Sequence, residues 1–318
     1  MQTLHGRAPS GKPAGPARRR RRVLLALLSA MTMALLPACS ASRVTITAQD
    51  PQGVTLSVCE RTYRKATADE RRAQDHVVGI PTREAWEDAA NDRLSVAVSC
   101  PVRFEESATY AALDFHRSSQ AASREGGGGI SPSDIGTTRS NGMGTAAQIL
   151  RTDQAAAAAL AEDRAGFAMT VLAARQKDPK HHLLALADAH RTASQTLAAH
   201  SAGEGDPREG IYSVRELLAH PDKMDDPANG LSAPVSAVVE MNAARELLAA
   251  IRDFTSADGG RTGQDEEGRT RYTATDRQQA LRELSELAAT HIYAALELGY
   301  PASPEALFSK DTAAVSAR

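Results

Sequence analysis

Apolar residues recur at helical spacing over the C-terminal two thirds of the chain. The segments Val235–Phe254 and Thr275–Leu298 each carry an apolar residue at every third or fourth position. Stripes of this period are typical of amphipathic helices whose apolar faces meet in a core. Alanine is abundant in the same part of the chain, which favours helix over strand. The pattern predicts a mainly α fold, with an alanine-rich antiparallel helical bundle over residues 145–309.

The N-terminal third alternates between apolar and polar positions instead. Alternation near residues 43–48 and 54–60, on either side of a turn that contains Pro and Gly, predicts a β-hairpin. Alternation over residues 94–104 predicts a third strand, which is expected at an edge because Pro101 lacks a backbone N–H donor. Together with short helices between them, these strands predict a small α+β unit over residues 39–105.

Other segments are expected to connect or to fray. A helix is predicted over residues 106–125, and the Gly-rich, aperiodic stretch 126–144 is expected to be a flexible linker or long loop. Residues 257–272 are charged and Gly-rich, which predicts disorder within the bundle segment. The tail over residues 310–318 is expected to be disordered.

An export signal occupies the start of the chain. Five consecutive arginines precede an apolar run of 14 residues that ends at Leu36, shorter than the about 20 residues of a membrane-spanning helix. The run ends in Leu36-Pro37-Ala38-Cys39, which resembles the lipobox of bacterial lipoproteins. The resemblance implies that residues 1–38 are removed as a signal peptide and that Cys39 receives acyl chains such as palmitate. The alternative is a membrane anchor helix that stays uncleaved.

Removal of the signal peptide changes the charge of the protein. Residues 1–38 hold seven of the 37 basic residues and none of the 39 acidic ones, so the remaining chain has 30 basic residues and a net charge of −9. An acidic chain repels phosphate backbones, so nucleic acid is not an expected partner. The expected partners are the membrane, through Cys39, and a protein of the cell envelope.

The resemblance also implies a location outside the cytoplasm. That location is the outer membrane or periplasm in a double-membraned cell, and otherwise the outer face of the cell membrane. The arginine run fits both the general secretory and the twin-arginine export route.

Two further cysteines, Cys59 and Cys100, lie in the exported part of the chain. Such a pair in an oxidising compartment predicts a disulfide, which for a loop of this length contributes about 4 kcal/mol to stability. The alternative is two buried thiols. The strand pattern places Cys100 on the apolar face and Cys59 on the polar face, so a disulfide between two strands would require a bulge.

The chain lacks the common catalytic motifs. The patterns HExxH, GxSxG and GxGxxG and the Walker loop do not occur. His181, His182, His190 and His200 lie near one helix, but His190 is eight, nine or ten residues from the others. One helix cannot gather side chains at those spacings around an ion, so neither a metal nor another cofactor is predicted.

Two histidines nevertheless occupy positions on apolar stripes. His190 continues the stripe of its helix, and His291 continues that of the last long helix. One interpretation is a pair of hydrogen-bonded core histidines. A sharper hypothesis is that His190 and His291 share a polar pocket between helices, together with Glu162, Asp163 or Glu286.

These features predict a lipid-anchored cell-envelope protein that binds partners or scaffolds through its helix faces, rather than an enzyme. One alternative is an envelope hydrolase with dispersed catalytic residues around His190 and His291. A second is a solute-capture lipoprotein, which ranks last because few strands are expected after residue 105.

Overall fold

The computed structural model of the protein describes residues 56–75, 82–131, 134–135, 143–175, 180–201, 205–220, 222–256 and 272–308. Most of these residues are helical, and the prediction of a mainly α helical bundle is confirmed. The helices are α1 (Val58–Gln74), α2 (Thr82–Ser99), α3 (Phe104–Arg124), α4 (Gly144–Ile149), α5 (Thr152–Arg175), α6 (Lys180–Ala198), α7 (Arg215–Ala219), α8 (Val235–Ala250), α9 (Arg252–Thr255), α10 (Ala274–Glu297) and α11 (Pro304–Leu307).

Four long helices, α5, α6, α8 and α10, surround the centre of the bundle. Helix α5 packs against α6 and α8, and α8 packs against α10. Many of the buried positions are alanines, among them Ala158, Ala159, Ala244 and Ala288. Because alanine side chains are short, the helix axes can approach closely, and a longer side chain on one helix can reach across the bundle.

A short antiparallel hairpin lies within the bundle segment, where the sequence predicts no strand. It pairs β1 (Lys223–Asp225) with β2 (Ser232–Pro234), and Met224 is opposite Ala233. Asp226, which follows β1, is fully buried and accepts a hydrogen bond from Tyr300 and one from Arg245, whose Nη1 lies 2.7 Å away. These contacts attach the hairpin to α8 and to the residues after α10.

Two of the predicted strands are wrong. The second half of residues 54–60 is the start of α1, where Ser57 caps the helix and accepts a hydrogen bond from Glu60 N at 3.1 Å. Residues 94–104 form the end of α2, a 3-10 turn over Pro101–Arg103 and the start of α3.

The strand over residues 94–104 is predicted wrongly because α2 is buried on several sides. Helix α2 packs against α1, α3 and α10, and its residues Leu94, Val96 and Ala97 are all fully buried. In a stretch of helix that is buried on several sides, the apolar residues show no clear 3.6-residue period, so the sequence can imitate the alternation of a strand. Pro101 marks the end of a helix rather than an edge strand, because the residue before a proline disfavours helical geometry.

The predicted disulfide between Cys59 and Cys100 is confirmed. Their Cα atoms are 4.8 Å apart, and the bond joins the first turn of α1 to the residue directly after α2. Both cysteines belong to helix ends, so the bulge required by two strands is not needed. The bond lies beside a small apolar cluster with Ala66 and Val96.

The helix expected over residues 106–125 corresponds to α3, which begins two residues earlier. The signal segment with Cys39, the strand expected near 43–48 and the tail over 310–318 lie outside the described residues, as do about half of the segment 126–144 and nearly all of the segment 257–272. Among the described helices, none combines the length and the apolar character needed to cross a bilayer.

Candidate functional site

Four ionisable side chains meet at the centre of the bundle, one from each surrounding helix. They are Glu162 on α5, His190 on α6, Glu240 on α8 and His291 on α10. Both glutamates are fully buried, and the histidines are only 1% and 4% exposed. We call these four residues the Glu/His quartet. Charged groups so deep in a core require partners, because burial removes their hydration.

Every imidazole nitrogen in the quartet faces a carboxylate oxygen. Nδ1 of His190 lies 2.7 Å from Oε2 of Glu162, and Nε2 lies 3.2 Å from Oε1 of Glu240. Nε2 of His291 lies 2.9 Å from the other oxygen of Glu162, and Nδ1 lies 3.1 Å from the other oxygen of Glu240. The two rings stack with centroids 4.5 Å apart and planes 5° from parallel. Each carboxylate therefore contacts both rings, with one oxygen facing a nitrogen of each.

The pairing determines the protonation of the quartet. Two imidazolium rings supply four N–H donors, and two carboxylates supply four acceptor oxygens, so all groups are satisfied when both histidines are protonated. The quartet then carries two positive and two negative charges and is neutral as a whole. A neutral imidazole would direct a lone pair at a carboxylate oxygen, which is unfavourable.

The electrostatics favour the same state. Burial lowers the pKa of His190, but the charge of Glu240 and the hydrogen bond to Glu162 outweigh it and raise the pKa to about 10. Burial also lowers the pKa of His291, and the charge of Glu162 outweighs it, so that pKa is raised to about 8. Burial raises the pKa of both glutamates, but the neighbouring histidines dominate and lower each pKa to about 2.

A glycine on α5 makes room for the quartet. Gly166 lies one turn after Glu162, and a Cβ added there would come within 3.1 Å of the Ala187 carbonyl oxygen and 3.2 Å of the His190 Cβ. Both distances are tighter than ordinary van der Waals contact. Gly166 therefore lets α6 approach α5 at the level at which His190 reaches the carboxylates.

The quartet has the composition of a site for a divalent metal ion. One ligand atom from each of Glu162, His190 and His291 lies within 4.8 Å of the others. Carboxylate and imidazole together suit ions such as Mn(II), Fe(II) and Zn(II).

The quartet differs from the carboxylate-bridged two-metal sites of helical bundles. Those sites carry a glutamate three residues before each histidine. Here the corresponding positions are Ala187 and Ala288. Three side chains of the quartet, Glu162, His190 and His291, bring ligand atoms close together, which suits one ion rather than two.

The hypothesis that His190 and His291 share a polar pocket agrees with this geometry, and Glu162 is one of its acids. Asp163 is not, because it accepts a hydrogen bond from the Tyr212 hydroxyl at 2.6 Å. Glu286 is buried on α10, but the four imidazole nitrogens have partners without it. His182 and His200 are exposed and lie apart from the quartet.

Glu240 is the member that the sequence analysis missed. It lies three residues after Ala237 and four before Ala244, in the middle of an apolar stripe. An acidic residue at such a position is the signal that could have identified it. The histidines of one helix cannot gather around an ion by themselves, whereas the side chains of the quartet come from four different helices.

No family model, curated protein or solved structure matches this chain.

Proposed function

We propose that this protein binds a divalent transition-metal ion at the centre of its helical bundle, as a lipid-anchored protein of the cell envelope. The observation that carries the proposal is the Glu/His quartet, four buried ionisable side chains on four different helices. Three of them, Glu162, His190 and His291, each bring a ligand atom within 4.8 Å of the others. A buried ion-pair cluster costs desolvation energy that well-packed apolar residues would not cost. Metal binding gives such a cluster a role that stability alone does not.

The charge balance supports the exchange of an ion for protons. The quartet without metal holds two protons on its histidines. A divalent ion bound to two neutral imidazoles and two carboxylates leaves the core with the same net charge, because two protons depart as two positive charges arrive. The bundle can thus hold either occupant without a buried net charge.

Ion binding also requires a movement of the rings. An ion lies in the plane of an imidazole that binds it, and two parallel stacked rings do not share such a plane. At least one of His190 and His291 must therefore rotate about its side-chain bonds when both bind the same ion. The stacked arrangement corresponds to the protonated state.

Metal analysis tests the proposal directly. The purified protein, stripped with a chelator, is dialysed against Mn(II), Fe(II) without oxygen, Co(II) or Zn(II), and its metal content is measured by mass spectrometry. We expect one equivalent in the unmodified protein and none in H190A, H291A or E162Q. The matched control is H182A, which removes an exposed histidine from the same helix and should bind as the unmodified protein does. Equal metal content in H190A and H182A would refute the proposal.

The lipid anchor has its own test. The proposal rests on the lipobox residues and on the acidic mature chain, which offers no overall positive charge for anionic lipid. The C39S protein should retain the mass of the signal peptide, should lack the mass of the acyl chains, and should no longer be found among the lipidated proteins. A membrane-bound C39S protein of unchanged mass would refute lipidation and leave metal binding intact.

Partner binding through a helix face is a second candidate function. Ile211 is 81% exposed and Leu218, on α7, is 50% exposed, which places two large apolar side chains on one surface segment. A photo-crosslinking residue at Ile211 should capture an envelope protein, whereas the same residue at exposed Glu216 should capture less. Equal capture at both positions would argue against a specific surface.

The hydrolase alternative has less support. A general base must come within hydrogen-bond reach of its substrate. Both histidines are almost fully buried, and all of their nitrogens already face carboxylates.

A further inference from the structure

A groove on the outside of the bundle lies between α5 and α8. It encloses about 310 Å³ and is covered on one side by the segment that precedes α7. We call it the α5–α8 groove. Its walls are formed by α5, by α8 and by Tyr212, Ser213, Val214 and Leu217.

The residues that line the groove occupy the same sequence positions relative to each of the two glutamates of the quartet. On each helix, the lining positions include those at −1, +2, +3 and +6 relative to the glutamate. They are Ala161, Arg164, Ala165 and Ala168 around Glu162, and Val239, Asn242, Ala243 and Glu246 around Glu240. In a helix, positions −1, +2, +3 and +6 all lie on one side of the reference residue, about 60–160° around the helix axis from it. The groove therefore lies on the flank of α5 and of α8 next to the two glutamates and at their level along the helices.

The partition between groove and quartet is thin. Ala161, Ala165 and Ala243 are 3%, 4% and 3% exposed and belong to the groove wall. Their side chains are single methyl groups, so we expect a small displacement of α5 from α8 to open a path to the carboxylates. Larger residues at these positions would close it.

A weak ion pair crosses the groove. Nη1 of Arg164 lies 3.7 Å from Oε2 of Glu246, and both side chains are about half exposed, at 49% and 50%. Exposed pairs of this kind contribute about 1 kcal/mol or less, so the pair opens readily. When it opens, Glu246 presents a free carboxylate to an arriving cation, while Arg164 repels it.

We propose that the α5–α8 groove is the route by which the divalent ion reaches the Glu/His quartet. Glu246 captures the ion first, and Arg164 acts as the gate. This inference rests on the proposed metal binding and adds the path and the residues that control its rate.

Co(II) uptake followed by its visible absorption in a stopped-flow instrument tests the route. We expect E246Q to take up Co(II) several-fold more slowly and R164Q several-fold faster, with the final bound amount unchanged in both. The salt dependence of the rate should be weaker in E246Q, because part of the attraction is lost. The control for E246Q is D188N, which removes one negative charge from an exposed residue on α6 (76% exposed) outside the groove.

A physical block gives a second, independent measurement. Ser213 is exposed and lines the groove, whereas Ile211, two residues earlier, is exposed and does not line it. In S213C, labelling with a bulky maleimide should slow Co(II) uptake strongly, and the same label in I211C should not. The native cysteines Cys59 and Cys100 are joined in a disulfide and do not react with the label, and both labelled variants carry C39S so that no third thiol is present.

The outcomes separate the two proposals. Co(II) uptake at an unchanged rate in labelled S213C and in both charge variants would overturn the route and leave the metal site standing. A complete lack of Co(II) binding in the unmodified protein would overturn the metal site and the route together. A lower final amount in labelled S213C, at an unchanged rate, would also contradict the route, because a path controls the rate and not the capacity.

Discussion

The imidazole ring of His190 lies parallel to that of His291, with the ring centroids 4.5 Å apart. Two imidazolium ions in this position repel each other, and the charge of His190 lowers the pKa of His291. Glu162 and Glu240 on the two edges of the stack compensate for that repulsion. The stability of the core therefore depends on both carboxylates as long as the histidines are protonated.

Replacing one carboxylate should destabilise the protein strongly. E240Q leaves two protonated rings beside a single carboxylate, and the loss of one partner in a buried ionic cluster costs about 3–5 kcal/mol. We expect the free energy of unfolding, measured by urea titration of metal-free protein at pH 6, to fall by about 3–5 kcal/mol. The control is E246Q, six residues later on α8 and half exposed, which should change stability by less than about 0.5 kcal/mol. Equal effects of the two substitutions would contradict the role of the quartet.

Metal binding should release two protons near pH 7. The raised pKa values of His190 and His291, about 10 and about 8, mean that both rings are protonated at that pH. The apparent affinity should rise by about a hundredfold per pH unit below pH 8, since two protons leave for each ion. Calorimetric titrations with Zn(II) in two buffers of different ionisation enthalpy measure the number of protons directly. A binding enthalpy that does not depend on the buffer would contradict the exchange.

The same pKa values set the pH window in which the metal-free quartet stabilises the fold. The stabilisation from the histidines is fully present below about pH 6.5 and is lost as the pH rises through about 8 to about 10. The stabilisation from the glutamates is present above about pH 4.5 and is lost as the pH falls towards about 2. The quartet therefore contributes most between about pH 4.5 and 6.5.

A methyl group at Gly166 should disturb the quartet. In G166A the new Cβ meets the Ala187 carbonyl oxygen and the His190 Cβ at 3.1 and 3.2 Å. Overpacking costs about 1–3 kcal/mol, whereas alanine gains up to about 1 kcal/mol in helix propensity. We expect a net loss of about 1 kcal/mol in thermal or urea unfolding, with weaker metal binding.

The control for that substitution is G144A at the start of α4, where an added Cβ meets nothing within 4 Å. It should be neutral or slightly stabilising, because it restricts the unfolded chain. A stabilised G166A protein would show that α6 can move away from α5 without cost.

Local pattern predicts the disulfide and the long helices of the bundle segment of this protein well. The apolar stripes of α8 and α10 follow from residue spacing alone, and His190 and His291 stand out because they are polar residues at positions of such stripes. Glu240 stands in the same kind of position, but a charged residue on a helix usually faces solvent. Only the packing of four helices shows that it faces inward.

The strand predicted over residues 94–104 fails for a related reason. Whether Leu94, Val96 and Val98 belong to a strand or to a helix buried on several sides depends on what surrounds them, and α2 is surrounded by three helices. The pairing of Glu162 with His190 and of Glu240 with His291 likewise depends on contacts between segments distant in the chain. Periodicity within one segment holds no information on such contacts.

Loss of the disulfide should weaken the fold and leave the metal site unchanged. The bond joins α1 to the end of α2, whereas the quartet lies on α5, α6, α8 and α10. We expect the double substitution C59S/C100S to lower the free energy of unfolding by about 2–4 kcal/mol and to bind one equivalent of Zn(II). Loss of Zn(II) binding in a folded C59S/C100S protein would show that the two regions are coupled.

Asp114 should make the stability of the protein fall as the pH rises. Asp114 on α3 is fully buried, and burial together with the charge of Glu70 raises its pKa to about 7, although Arg117 lies 2.8 Å away and opposes the shift. The folded state therefore holds a proton that the unfolded chain, with a pKa near 3.8, releases. Stability from this group is present below about pH 4 and is lost as the pH rises to about 7.

The substitution D114N should remove that dependence, because asparagine resembles the protonated acid at every pH. At pH 4 the unmodified protein and D114N should unfold at similar urea concentrations. At pH 8 D114N should be more stable, by an amount on the order of a few kcal/mol. The quartet is present in both proteins, so its own titration cancels in the difference. D188N, at an exposed position on α6, should show no such pH-dependent difference. A D114N protein that is less stable than the unmodified protein at pH 8 would show that the ion pair with Arg117 outweighs the cost of burying the Asp114 carboxylate.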